Sequence, residues 1–78
     1  MNNPDIHPAQ IRAARALLNM TQEELAIKAG VTRKTLSRLE KSNLPIRDST
    51  TEAALAVLEA AGVRFFSQGG RHGVSADR

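Results

Sequence analysis

The segment of residues 22–41 constrains the fold of this chain more than any other. Its apolar residues recur at helical spacing on both sides of Gly30, and glycine adopts the left-handed backbone of a tight turn at little cost. Ala26 is small enough to let two helices approach closely. The apolar face that the two helices share is predicted to contain Leu25, Val31, Leu36 and Leu39. The segment therefore predicts two short helices joined by a tight turn.

Threonines mark the start of both helices. The hydroxyls of Thr21 and Thr32 can accept hydrogen bonds from amides of the first helical turn. Glu24 stands three residues after Thr21 and completes a capping box, whereas Thr35 stands at the corresponding place after Thr32, so the second cap is simple. The predicted helices are Gln22–Ala29 and Arg33–Lys41. Together they form a helix-turn-helix motif.

Three short motifs in this segment resemble those of the phage repressor and Cro-like helix-turn-helix proteins, the XRE family. They are Thr-Gln-Glu-Glu-Leu-Ala from Thr21, Ala-Gly-Val-Thr from Ala29, and Leu-Ser-Arg-Leu-Glu from Leu36. Arg15 upstream and Leu55 and Leu58 downstream also fit, so the resemblance covers residues 6–63. It implies an all-α domain of four helices that binds DNA. The chain departs from the family where Lys41-Ser42-Asn43 replaces the usual glycine after the second helix of the motif.

Charge is concentrated around the motif. The chain of 78 residues has a net charge of +3 and a pI near 10.2. Residues 28–47 contain one acidic side chain, Glu40, and six basic ones, so this segment carries +5 and the rest of the chain −2. The six are Lys28, Arg33, Lys34, Arg38, Lys41 and Arg47. Charges alone can belong to a solvated helix face, but around this motif they indicate a polyanionic partner.

The outward side of the helix Arg33–Lys41 is predicted to read DNA bases. Recognition helices read the major groove mainly from their N-terminal residues, and arginine pairs bidentately with guanine. The candidate base contacts are Thr32, Arg33, Lys34, Ser37 and Arg38, and the resemblance implies the same role for Arg33, Lys34 and Arg38. Lys34 could instead meet a phosphate, and Ser37 is small enough to permit close approach.

Other residues are predicted to hold the DNA backbone. Thr21 and Gln22 lie at a helix N-terminus, where amides and the helix dipole favour a phosphate. The resemblance implies that Gln22 clamps the backbone; the alternative is an ordinary polar residue of the first turn. Asn43 and Arg47, in the loop that follows, are the other candidate phosphate contacts, although a basic loop residue is often only solvated. Leu44 or Ile46 is expected to fold back on the core.

Two further helices are predicted on either side of the motif. Residues 8–18 form the first, with Asn19 able to adopt the left-handed cap conformation. The resemblance implies that Arg15 in this helix pairs with Glu40, whereas Arg12 is expected to be a surface charge. Residues 50–61 form the last helix. Its start is predicted from a cluster of capping residues over 48–52, in which Ser49 and Glu52 have capping-box spacing. Its apolar stripe contains Ala54, Leu55, Leu58 and Ala61.

The tail is predicted to contain a strand over residues 63–66, a turn, and a weak return strand over residues 71–74. Pleating sends Phe65 and Phe66 to opposite faces. An isolated hairpin is marginal, so we expect Val63, Arg64, Phe65 and Phe66 to pair with their copies in a homodimer. A hairpin folded on its own domain is the alternative. The chain then divides into an N-terminal arm (1–7), a DNA-binding domain (8–62) and a dimerisation tail (63–78).

Residue types that catalysis or metal binding requires are scarce. There is no cysteine, the histidines are His7 and His72, and no phosphate-binding glycine pattern or HExxH motif occurs. We therefore expect no enzyme activity, no cofactor and no metal. No apolar run has the length of a membrane span and the start does not read as a secretory signal, so a cytoplasmic location is expected.

These features predict a sequence-specific transcriptional regulator that binds double-stranded DNA. A homodimer would place two recognition helices in successive major grooves of a palindromic operator. Repression by occlusion is the expected mode, since the length shows no added effector domain. Two alternatives are an antitoxin that represses its own operon and holds a toxin, and a protein-interaction module that keeps the fold without binding DNA.

Overall fold

The computed structural model describes residues 6–42 and 48–77. They form four helices followed by a two-stranded antiparallel sheet. The elements are α1 (Pro8–Leu18), α2 (Gln22–Ala29), α3 (Arg33–Lys41), α4 (Ser49–Ala60), β1 (Val63–Gln68) and β2 (Arg71–Ala76). The predicted bounds of the first three helices are confirmed. The expectations for the arm before Ile6 and for the loop residues Asn43, Leu44, Ile46 and Arg47 lie outside the described residues.

The ends of α1 and α2 follow local chemistry. Asn19 and Gly30 both adopt the left-handed conformation, with φ of 55° and 73°. Each helix ends with a backbone hydrogen bond between residues five apart in sequence. These bonds run from Met20 N to Arg15 O at 2.9 Å and from Val31 N to Ala26 O at 3.0 Å. This pattern satisfies carbonyls that the helix end would otherwise leave without donors. The predicted turn at Gly30 is confirmed.

The start of α4 differs from the prediction. Its N-cap is Asp48, whose carboxylate accepts from Thr51 N at 2.9 Å, so the helix begins at Ser49. The prediction of a cap at Ser49 is therefore wrong by one residue. Ala61 is also exposed rather than part of the apolar stripe, because the helix has already ended at Ala60. An aspartate is as good a cap as a serine, and spacing alone did not distinguish them.

All four helices contribute to one core. Leu25 and Leu36, from the two helices of the motif, are fully buried, and Leu58 of α4 packs with them at 0% exposure. The buried apolar residues are Ile6, Ile11, Ala14, Leu25, Ala26, Leu36, Leu39, Ala54, Leu55, Leu58 and Val63. Val31 is partly buried against this cluster. The apolar face predicted for the motif is thus the face that packs on α1 and α4.

The tail folds as a hairpin within the chain. β1 pairs with β2 from Val63 opposite Ala76 to Gln68 opposite Arg71. The turn is Gly69-Gly70, with φ of 57° and 77°, which is the two-residue geometry that matches the twist of a hairpin. Both strands are two residues longer than predicted. β1 continues to Gln68 because the turn needs only its two glycines, and β2 continues to Ala76 because its last residues pair with Val63 and Arg64 at the start of β1. This pairing is the alternative in which the hairpin folds on its own domain.

The side chain of Gln10 attaches the hairpin to α1. It is 3% exposed, and its Nε2 donates to Gly73 O at 2.9 Å and to Phe66 O at 3.1 Å. Its Oε1 accepts from His7 N at 2.8 Å, while His7 Nδ1 accepts from Ala9 N at 3.1 Å. A capping box at the start of α1 therefore also holds the sheet, a role that the sequence analysis did not assign to Gln10.

Neither a membrane-spanning helix nor a metal-binding cluster occurs in residues 6–42 and 48–77. No helix in them combines the length and hydropathy that crossing a membrane requires. No group of three or more His, Cys, Asp or Glu side chains in that part of the chain is placed to hold a metal ion.

Candidate nucleic-acid interface

The outward face of α3 gathers most of the predicted base contacts. With Leu36 and Leu39 buried, the basic side chains of the helix are exposed. A shallow concavity of about 430 Å³ is lined entirely by residues of this face, namely Arg33, Lys34, Ser37, Arg38 and Lys41. Its lining holds four cations and no carboxylate. Such a surface attracts a polyanion and offers donors to base edges.

Thr32, the remaining candidate base contact, is the N-cap of α3. Its hydroxyl accepts from Thr35 N at 3.1 Å and donates to Thr35 Oγ1 at 2.9 Å. The simple cap predicted at this position is confirmed. Thr32 lies at the N-terminal edge of the α3 face and does not line the concavity.

A buried ion pair holds α3 in place. Arg15 Nε donates to Glu40 Oε2 and Arg15 Nη2 to Glu40 Oε1, both at 2.8 Å, and the Glu40 side chain is only 3% exposed. Arg15 Nη1 also donates to Met20 O at 3.1 Å. This two-pronged geometry is the strong form of an arginine–carboxylate contact. It joins α1 to the C-terminal end of α3, as the resemblance implies.

Two more side chains join this pair. Gln22 Nε2 donates to Glu40 Oε1 at 3.2 Å, so the first residue of α2 is tied to the end of α3. The guanidinium of Arg12 donates to the backbone carbonyl of Glu40. Arg12 is exposed, as expected of a surface charge, and its guanidinium in addition caps a carbonyl in the last turn of α3, where the helix dipole favours a cation. Glu40 thus accepts hydrogen bonds from side chains of both α1 and α2.

The N-terminus of α2 is held by the predicted capping box. Thr21 N donates to Glu24 Oε1 at 2.8 Å, and Glu24 N donates to Thr21 Oγ1 at 3.0 Å. The backbone and side-chain hydrogen bonds with Thr21 lower the pKa of the Glu24 carboxyl, and the charge of Lys28 acts in the same direction. Thr21 and Gln22 therefore lie on a well-ordered helix start.

We expect this helix start to loosen in acid. The folded chain favours ionised Glu24, so its contribution to stability is present above the ordinary pKa of about 4.5 and is lost as the pH falls through the lower folded value. The amide resonance of Thr21 should shift with a midpoint below 4.5 in an NMR pH titration. In Glu24→Gln the acceptor remains without a charge, so the same resonance should not titrate there. A midpoint above the ordinary value would contradict the expected direction.

The predicted dimerisation residues occupy different surroundings. Val63 is buried at 1% exposure and Phe65 is half-buried against the core, whereas Arg64 and Phe66 are exposed. Phe66 retains 51% exposure. Pleating separates the two phenylalanines as predicted, and the structure decides that Phe65 faces inward.

Sequence reasoning missed one residue of the α3 concavity and two of the contacts made by Glu40. Lys41 was counted only in the charge balance, yet it lines the α3 concavity because it lies three and four residues after Arg38 and Ser37. That spacing could have revealed it. The contacts of Arg12 and Gln22 with Glu40 join elements distant in sequence, and no local pattern signals them.

Comparison with known proteins agrees with this geometry. A family model described as helix-turn-helix matches residues 11–66, more than two thirds of the chain. The match extends from Ile11, in the first turn of α1, through α2, α3 and α4 to Phe66 in β1. A search of curated proteins found no match.

Proposed function

We propose that this protein acts as a repressor and that it binds a palindromic operator as a homodimer. The chain belongs to the XRE-type helix-turn-helix family of DNA-binding transcription regulators. Membership of the family indicates double-stranded DNA as the ligand. Two copies related by a two-fold axis would place their α3 helices in successive major grooves, about 34 Å apart. A dimer seated in this way covers a promoter and excludes the transcription machinery.

The α3 concavity is the observation that carries this proposal. Four cations converge on a surface with no carboxylate in its lining. Arg33 and Arg38 are assigned to bases, because a guanidinium can donate to both O6 and N7 of guanine. Lys34 meets a base or a phosphate, and Ser37 lets the helix approach closely. Thr32 lies at the N-terminal edge of this contact.

Phosphate contacts are assigned to residues on either side of α3. Thr21 and Gln22 start α2, where free amides and the helix dipole favour an anion. The bond from Gln22 Nε2 to Glu40 fixes the side chain of Gln22 beside α3 and leaves its carbonyl oxygen and second amide proton uncommitted by that bond. Asn43 and Arg47 complete the proposed set. Phosphate contacts fix the position of the protein on the duplex without selecting the sequence.

The outer edge of β1 supports the homodimer. Asp77 N donates to Gly62 O at 3.1 Å, which makes these two residues a hydrogen-bonded pair of the antiparallel ladder. Because such pairs alternate, the backbone groups of Val63, Phe65 and Ser67 point away from β2. The described sheet has only two strands, so this edge has no strand partner within it. A second copy can pair there and extend the sheet to four strands.

A selection from genomic fragments tests the proposal. The purified protein should enrich a palindromic site, and sedimentation should show two chains on each site. The logarithm of the association constant should fall linearly with the logarithm of salt concentration, with a slope of about −0.9 for each neutralised phosphate. One chain on an asymmetric site would disprove the dimer. No enriched site and no salt-sensitive binding would disprove DNA recognition and assign α3 to a protein partner.

A further inference from the structure

We propose that the outer face of the β1–β2 hairpin binds single-stranded nucleic acid, with a base stacked on Phe66. This function is separate from duplex recognition by α3. Alternation along the strands sends Val63, Phe65 and Val74 towards the core, where they pack. The opposite, outer face therefore carries Arg64, Phe66, Gln68, Arg71, Gly73 and Ser75.

The ring of Phe66 lies across Gly73, its partner on β2. A Cβ atom built on Gly73 would lie 2.4 Å from Cε1 and 2.7 Å from Cζ of that ring. The absence of a side chain at residue 73 is what lets the ring rest on the backbone of β2. Half of Phe66 nevertheless stays open to solvent, at 51% exposure. An aromatic ring supported on one side and open on the other is a platform for stacking.

The charge around this platform is positive. Residues 63–76 contain Arg64 and Arg71 and no aspartate or glutamate, and both arginines are exposed. The next residue, Asp77, is an exposed carboxylate, but it lies opposite Gly62 at the end of the ladder away from the turn, whereas Phe66 lies opposite Gly73. The preceding segment is the reverse: residues 48–62 contain three carboxylates and no lysine or arginine. The hairpin is thus a second basic surface, distinct from the one on α3. Charge complementarity selects an anionic occupant for it.

A concavity beside the ring provides the remaining contacts. It measures about 360 Å³ and is lined by Phe66, Gln68, Gly69, Arg71, His72 and Gly73. The ring can stack on a base, the amide of Gln68 can donate to or accept from its edge, and Arg71 can meet a phosphate. In a duplex the faces of the bases are covered by their neighbours. The combination therefore fits an unpaired strand, whose bases are free to leave the stack.

The hairpin and α3 pack on different parts of the helical body. β2 packs on α1 and β1 on α4, whereas α3 packs against α1, α2 and α4. If two copies pair along β1 about an axis perpendicular to the sheet, both outer faces remain on the same side. The single-strand surface does not depend on that pairing, so either proposal can fail alone.

A tryptophan at position 66 makes the platform observable. The chain contains no Trp and no Tyr, so Phe66→Trp introduces a single indole fluorophore at the proposed site. Titration with an unlabelled 15-nucleotide oligothymidylate should quench this emission as a base stacks on the ring. In a parallel anisotropy titration with a labelled strand, Phe66→Ala should weaken binding by ~5- to 160-fold, the range for loss of one base–aromatic stack. Arg71→Ala should lower the salt dependence.

Arg33→Ala supplies the matched control, because it removes an arginine from α3 and leaves the hairpin unchanged. It should retain single-strand affinity. Loss of single-strand affinity in Arg33→Ala but not in Phe66→Ala would overturn the proposal, because the nucleic acid would then bind to α3. Absence of quenching would also overturn it, as would a mononucleotide that binds as tightly as the strand. If Phe66→Ala bound the oligonucleotide with unchanged affinity but had half the molecular mass of the starting protein in solution, the proposal would be wrong. The outer face of the hairpin would then be the contact between two copies of the chain.

Discussion

Replacing Arg15 by alanine should lower the free energy of unfolding by about 3–5 kcal/mol, because it leaves a buried carboxylate without its cation. Glu40 has a side-chain exposure of 3% and takes both of its shortest bonds, at 2.8 Å each, from Arg15. The bond from Gln22, at 3.2 Å, cannot replace a charge. Urea unfolding followed by circular dichroism would measure the loss.

The expected loss is large compared with the total free energy of unfolding of the domain. A domain of this length has a stability of roughly 4–12 kcal/mol at 0.05–0.15 kcal/mol per residue. Arg15→Ala should therefore be marginally folded or unfolded near 37 °C. Arg12→Ala removes the same charge from the same helix, but Arg12 is exposed and, within residues 6–42 and 48–77, its hydrogen bond goes to the backbone of Glu40 rather than to the carboxylate. It should cost about 1 kcal/mol, the value of an ordinary hydrogen bond.

A double replacement separates burial of the charge from loss of packing. In Arg15→Met with Glu40→Leu both charges are removed and apolar groups fill the site, so stability should return close to that of the starting protein. If Arg15→Ala cost no more than Arg12→Ala, the pair would not be the element that holds α1 to α3. If the double variant were as unstable as Arg15→Ala, lost packing rather than the unpaired charge would be the cause.

Replacing Arg33 by alanine should weaken binding to the selected operator by about 2–6 kcal/mol. A good bidentate arginine–guanine contact contributes about 1–3 kcal/mol of discrimination, and a dimer carries two such contacts. Binding to unrelated duplexes should change far less, so the ratio of specific to non-specific affinity should collapse. Quantitative shift assays against an operator library with each base pair randomised in turn would measure this. Preference should be lost at one position in each half-site.

Arg71→Ala is the matched control, because it removes an exposed arginine from β2, outside both α3 and the proposed dimer contact. It should leave operator preference unchanged. Gln22→Ala should instead weaken binding to all duplexes alike, as loss of a phosphate contact does. Its stability must be measured separately, since Gln22 also donates to Glu40. Equal loss of preference in Arg33→Ala and Gln22→Ala would contradict the division between base and phosphate contacts.

Local chemistry made the first three helices predictable from the chain alone. Thr21 with Glu24, Asn19 and Gly30 are caps whose partners lie within a few residues, and all act as the sequence indicates. Their hydrogen bonds span one turn, so a short pattern contains all the information. The exposed basic side of α3 follows equally from the positions of Leu36 and Leu39, which must face inward.

Contacts between distant segments were accessible only where a family resemblance supplied them. Arg15 and Glu40 are 25 residues apart, and only the resemblance implied their pairing. Gln10 reaches Gly73 across 63 residues, and Arg12 reaches Glu40 across 28, and neither contact was foreseen. A glutamine or arginine on a helix has many geometrically allowed partners, and the packing of the elements selects among them.

The sequence by itself determined the helices of the motif, the turn between them and the side of α3 that remains in solvent. These depend on caps, on helical periodicity and on the backbone freedom of Gly30. Only the tertiary structure decided that the tail folds back on its own domain with Phe65 inward and Phe66 outward. Strand alternation requires opposite faces but does not select between them. That selection depends on the surface that α1 and α4 offer and on Gln10, whose amide holds β1 and β2 against α1.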